Sequence, residues 1–100
     1  MSNLISCDTS GLDCSHVEGW LNKIYASHAH AEGVNNTISA GAVAAHAEGI
    51  NVIVAGLYSH AEGSDTKVIG VFSHGEGYNN TVNGNISHAE GRDNIVDGSC

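Results

Sequence analysis

Basic residues are scarce: three lysine and arginine residues face eleven acids, for a formal charge of −8. No basic patch can be assembled from them, which excludes nucleic acid and anionic membrane surfaces as partners. No segment is long and apolar enough to span a membrane, so membrane insertion is not expected. The first residues also lack the basic start and apolar run of a secretory signal peptide. Leu4-Ile5-Ser6-Cys7 has the outline of a lipoprotein cleavage box, but the six residues before the cysteine leave no room for its hydrophobic region. Cysteine is limited to Cys7, Cys14 and Cys100, so at least one is unpaired in a monomer and either redox compartment is compatible. Cys7 and Cys14 read as buried thiols or a local disulfide. Charged residues make up only 14% against 41% hydrophobic, which excludes a disordered acidic tail. Proline is absent, and the thirteen glycines fall at regular intervals. At 100 residues the chain is one small domain, of a size that oligomerisation or a staple usually supplements.

What the sequence does contain is a repeat. Its core occurs six times: His16-Val17-Glu18-Gly19, His30-Ala31-Glu32-Gly33, His46-Ala47-Glu48-Gly49, His60-Ala61-Glu62-Gly63, His74-Gly75-Glu76-Gly77 and His88-Ala89-Glu90-Gly91. The spacings are 14, 16, 14, 14 and 14 residues, and every glutamate of the chain lies in the motif. Counting the histidine as position one, position six is Asn35, Asn51, Asp65, Asn79 and Asp93, with Leu21 the exception. Position nine is always β-branched: Ile24, Ile38, Val54, Val68, Val82 and Val96. Position eleven is small, ending in Gly56, Gly70, Gly84 and Gly98, and position fourteen is serine in the later units. The longer second unit carries two extra residues around Ser39-Ala40-Gly41-Ala42-Val43, read as a turn or bulge.

Each unit therefore reads as strand, turn, strand, turn. The first strand is expected over positions thirteen to three, as in Ile86 to Glu90, followed by a turn at Gly-x-Asn/Asp. A short second strand centres on position nine, and the glycine at eleven turns the chain again. A helix would carry two glycines with asparagine and β-branched residues between them in every unit, each disfavoured in a helix interior. Coils of this kind stack in parallel about 4.8 Å apart, giving a rod of about 29 Å for six units. Strand alternation places positions thirteen, one and three on one face. The narrow interior cannot hold six stacked carboxylates, so alanine points in while histidine and glutamate point out. Tyr58, Phe72 and Ile86, with Cys14 and Cys100 in the same column, add an apolar row to that outward face, which marks a partner surface. The expected interface comprises His16, Glu18, His30, Glu32, His46, Glu48, Tyr58, His60, Glu62, Phe72, His74, Glu76, Ile86, His88 and Glu90. The partner is another copy of the chain in a closed cyclic oligomer.

The repeated Ser-His-Ala-Glu-Gly with a following Asn-x-x-Val-x-Gly resembles the head repeats of YadA-like trimeric autotransporter adhesins. More closely it resembles the Ser-His-Ala-Glu-Gly variant seen in bacteriophage tail and bacterial surface proteins, and the resemblance covers about residues 14 to 100. It implies a left-handed parallel β-roll with one coil per unit, a homotrimer of side-by-side chains, and a place at the cell surface, outside the cell or on a virion. Residues 1–13 are expected to form an N-terminal cap and residues 14–100 the six-repeat domain. Because the chain stops in mid-unit at Cys100, a longer protein is expected to continue, or neighbouring chains to cover the end.

Candidate chemistry is weak by comparison. Serine, histidine and aspartate are present, but nothing singles out a nucleophile and its base. The glycine turns lack the Lys-Ser/Thr of a phosphate loop, and the calcium-binding nonapeptide is absent. The His-x-Glu pair has the spacing of a chelate on a strand, and three chains would bring three histidines together. Six near-identical copies nevertheless look like architecture, so His-Glu hydrogen bonding is preferred to a metal site. No catalytic residue, cofactor or metal is assigned, and the chain is not expected to be an enzyme. Trp20, Tyr78 and Arg92 at position five read either as surface decoration or as a rim that touches a receptor or matrix ligand.

Overall fold

Every unit of the sequence closes one coil, made of a five-residue strand and a two-residue strand. The structure is a computed structural model and describes Leu4–Ile5, residues 16–26 and residues 28–98. The long strands are β2 (His16–Trp20), β4 (His30–Val34), β6 (His46–Ile50), β8 (His60–Ser64), β10 (His74–Tyr78) and β12 (His88–Arg92). The short ones are β3 (Lys23–Ile24), β5 (Thr37–Ile38), β7 (Ile53–Val54), β9 (Lys67–Val68), β11 (Thr81–Val82) and β13 (Ile95–Val96). Long strands pair only with long strands in one parallel sheet. The short strands form a second sheet, extended by β1 (Leu4–Ile5) alongside β3. Register repeats the sequence unit: His60 lies opposite His74, Glu62 opposite Glu76 and Gly63 opposite Gly77. The longer unit keeps that register, with His30 opposite His46. Its extra residues fit into a turn closed by the Ala42 amide donating to the Ser39 carbonyl at 3.0 Å. The fold is thus an all-β parallel β-solenoid of six coils. Its thinnest dimension is 11 Å, close to the ~10 Å separation of two packed sheets.

Alternation along the long strands sorts the side chains as the residue types require. Ala31, Ala47 and Ala61 are fully buried and face the position-nine Ile38, Val54 and Val68, also fully buried. Histidine and glutamate take the opposite face of the same strands, where His30 to Glu76 are half-buried.

Strand limits differ from the sequence-based expectation. Position thirteen lies outside the long strand, because both corners of the coil use a single left-handed residue to reverse the chain. The first corner is position six, with φ of 56° to 63° at Leu21, Asn35, Asn51, Asp65, Asn79 and Asp93. The second is position thirteen, where Tyr58, Phe72 and Ile86 have φ of 55°, 57° and 52°. The position-eleven glycines are not the left-handed residues of that corner. They serve close approach instead: a Cβ on Gly56 or Gly70 would overlap the carbonyl oxygen of the equivalent glycine in the next coil.

Inside each coil runs a polar column that the repeat pattern did not single out. Position seven holds Asn22, Asn36 and Asn80, all fully buried, with Thr66 and Val52 in the remaining inner coils. Each asparagine bonds within its own coil and to the next. The Asn36 side-chain amide donates to the Glu32 carbonyl at 2.7 Å and to the Gly49 carbonyl at 3.0 Å. Its Oδ1 accepts from the Val52 amide at 2.9 Å. Asn80 repeats the arrangement, donating to Glu76 and Gly91 and accepting from the Asn94 amide. A serine column does the same at the opposite corner, where Ser59 and Ser73 donate to the Gly70 and Gly84 carbonyls at 2.6 and 2.8 Å. Buried polar groups satisfied in this way avoid a desolvation penalty of roughly 1–3 kcal/mol each.

Gly63 tests the spacing between coils. It has a φ of +114°, and a Cβ there would overlap the Gly77 carbonyl. Gly63→Ala is expected to lower unfolding free energy in urea by about 2–4 kcal/mol. Gly41→Ala, in the turn of the longer unit with nothing near its Cβ position, is expected to change it by less than about 1 kcal/mol. Equal effects at the two positions would contradict the close-approach account.

Candidate functional site

The outward face of the long-strand sheet concentrates the chemistry of the chain. Parallel, in-register pairing forces each histidine to sit directly over the one in the preceding coil. The rings of His30, His46, His60, His74 and His88 form one column, with successive centroids 4.7, 4.5, 4.6 and 4.8 Å apart. Interplanar angles of 6° to 21° make it a stack. Beside it runs the glutamate column. Within each rung, strand alternation points position one and position three the same way, and Nε2 lies 2.8 to 3.0 Å from a carboxylate oxygen, from His30–Glu32 to His88–Glu90.

His30, His46 and His88 make hydrogen bonds to Glu32, Glu48 and Glu90. At His60 and His74 Nε2 is buried and lies as close to Glu62 and Glu76, at 2.8 and 2.9 Å. Burial pushes the His60 pKa below its ordinary value. The charges that His46 and His74 would carry on either side add to the effect, and Glu62 opposes it. Basic side chains do not neutralise the carboxylates. Lys23 and Lys67 belong to the short-strand sheet, and Arg92 lies 3.5 Å from Asp93 and over the Tyr78 ring. Nitrogen and oxygen atoms of adjacent rungs approach within 4.8 Å in four sets, His30/Glu32/His46, His46/Glu48/His60, His60/Glu62/His74 and Glu76/His88/Glu90.

Of the sequence-predicted face, the described histidines and glutamates from Glu18 onward share the outer side of one sheet. The side chain of His16, together with Cys7, Cys14 and Cys100, lies outside the described residues. Tyr58, Phe72 and Ile86 stand 53%, 59% and 60% exposed at the corner preceding the long strands. The Tyr58 and Phe72 rings stack 5.2 Å apart. Strand alternation does not place them there, since they sit on the left-handed corner. At the far end of the long strands Trp20, Ile50 and Tyr78 are also exposed, with Ser64 between Ile50 and Tyr78 and Arg92 over the Tyr78 ring. Sequence reasoning missed the buried asparagine column, visible as asparagine at position seven but left outside the repeat pattern. Fixed spacing of the histidines, given parallel register, stacks their rings in one column.

A histidine held neutral by burial gives stability a defined pH dependence. Because the folded-state pKa of His60 is depressed, the unfolded chain takes up its proton first as pH falls. Stability is therefore full above about 6.5 and declines below it. The melting temperature in chelating buffer is expected to drop between about pH 8 and about pH 5, and a flat profile would contradict this assignment.

No protein-family model, curated protein or solved structure matches this chain, so the resemblance to YadA-like heads rests on the repeat motif together with a β-solenoid of about 14 residues per coil.

Proposed function

We propose that the chain is a non-enzymatic structural segment of a cell-surface or virion fibre, in which three copies pack side by side through the His/Glu/aromatic face. The observation that carries this reading is the corner column of Tyr58, Phe72 and Ile86. These are large apolar side chains, more than half exposed, on residues with φ of 52° to 57°. A left-handed conformation costs a non-glycine residue on the order of 1–3 kcal/mol, and asparagine or glycine would occupy the corner with less strain. Strain and exposure together are unfavourable in an isolated chain and are offset when a neighbouring copy covers the column. The six-coil solenoid supplies the rest of what a fibre segment needs, a stiff body in which each coil contacts only its neighbours.

A second reading, an adhesive head that binds a receptor or matrix ligand, is favoured by Trp20, Ile50 and Tyr78, 46% to 51% exposed. Aromatic side chains are enriched at binding surfaces. These residues lie at the opposite end of the long strands from the Tyr58–Ile86 column and stay available when that column is covered.

Light scattering on a size-exclusion column, in chelator and reductant, tests the first reading. The expected mass is three times 10.3 kDa, and Phe72→Asp is expected to convert the trimer to a monomer with an unchanged far-ultraviolet circular dichroism spectrum. A wild-type monomer, or a trimer indifferent to Phe72→Asp, would overturn the proposed packing.

A further inference from the structure

We infer that the His/Glu face is a zinc-class metal array, in which pairs of neighbouring coils each hold one divalent ion through two imidazoles and a carboxylate. The inference depends on the rungs of a single chain and not on how many chains pack together.

The centre of the array is His60, Glu62 and His74. Within the rung, Nε2 of His60 and the Glu62 oxygen are 2.8 Å apart. Two ligands, each about 2.0–2.1 Å from a zinc ion, lie roughly 2.9–3.4 Å apart. One rung is therefore already near the bite of a chelate. The next coil adds His74, and the ligand atoms of the three residues all lie within 4.8 Å of one another. Closing that gap to bonding geometry requires the ligand atoms to approach by roughly 1.5 Å.

The Nε2 atoms of His60 and His74 are buried, and each lies beside a carboxylate, Glu62 at 2.8 Å and Glu76 at 2.9 Å. A divalent ion held between the two rungs would exchange these ion pairs for coordinate bonds. It also supplies the positive charge that the glutamate column does not receive from Lys23, Lys67 or Arg92.

Two imidazoles with one carboxylate suit zinc, nickel or copper rather than magnesium or calcium. Sharing limits the loading. His30/Glu32/His46 and His60/Glu62/His74 have no residue in common, whereas His46/Glu48/His60 overlaps both. The Glu76/His88/Glu90 set is richer in oxygen and largely exposed, which makes it the weakest. Among the described residues, two ions separated by two coils is therefore the tight-binding limit.

The test is equilibrium dialysis of the untagged full chain against zinc, after chelator treatment, with metal counted by mass spectrometry. At least two zinc ions per chain are expected. His60→Gln and Glu62→Gln should each lower the count by one, because the His30/Glu32/His46 set survives. His28→Gln, which lies outside the column, should leave the count unchanged. Circular dichroism identifies any variant that fails to fold, and Glu62→Gln keeps the test decisive if His60→Gln does. No bound zinc, or the same number in wild type and Glu62→Gln, would overturn the inference.

Discussion

The structure depends on backbone-to-backbone contact between successive coils at the two glycine positions of the repeat. At Gly63 and Gly77 in the long strand, and at Gly56 and Gly70 at the second corner, a Cβ would occupy the space of the next coil's carbonyl oxygen. In the long strand the position is glycine in all six units, while position eleven is alanine at Ala26 and Ala40 in the first two. Once two coils touch there, every other position falls into line with its counterpart, so that His60 meets His74 and Val68 meets Val82. The 14-residue spacing is the sequence form of this contact. The 16-residue unit confirms its tolerance, because the surplus is taken up in a turn at residues 39–42 while the register of His30 with His46 is kept.

In-register stacking makes each residue choice count six times over. Inside the coil the consequences are favourable: Ala31, Ala47 and Ala61 pack against the position-nine column, and Asn36 and Asn80 bond across the coil boundary. Such a network is stabilising when every member is satisfied, and costly otherwise. Outside, stacking like on like puts carboxylate over carboxylate and ring over ring. Five histidines within 4.8 Å of their neighbours tolerate one another while neutral, and cease to do so once protonated. The face therefore holds ionisable groups close together along the length of the solenoid. Electrostatically this is an unfavourable arrangement, since like groups stand over like.

Much of this was legible in the sequence, for reasons particular residues make clear. Fixed spacing of His-x-Glu-Gly sets the coil, and alternation in Ala61-Glu62 separates inside from outside. Asn35, Asp65 and Asp93 announce a left-handed corner by their type. Tyr58, Phe72 and Ile86 do not: their types suit a strand, and only the geometry of coil closure puts them on a second corner. Gly56 and Gly70 announce an unusual need but not which one, since a turn and a close approach call for the same residue. Asn36 and Asn80 are polar residues next to a corner, and their burial follows from partners one coil away. The outward position of the His/Glu face was legible.

Parallel, in-register stacking is the claim from which the glycine contact, the imidazole column and the exposed corner all follow. Backbone nuclear Overhauser effects on isotope-labelled protein test it most directly. The account predicts parallel-strand connectivities that link His60, Ala61 and Glu62 to His74, Gly75 and Glu76, repeated from each coil to the next. Antiparallel connectivities, or pairings shifted by one residue so that His60 faces Gly75, would contradict it.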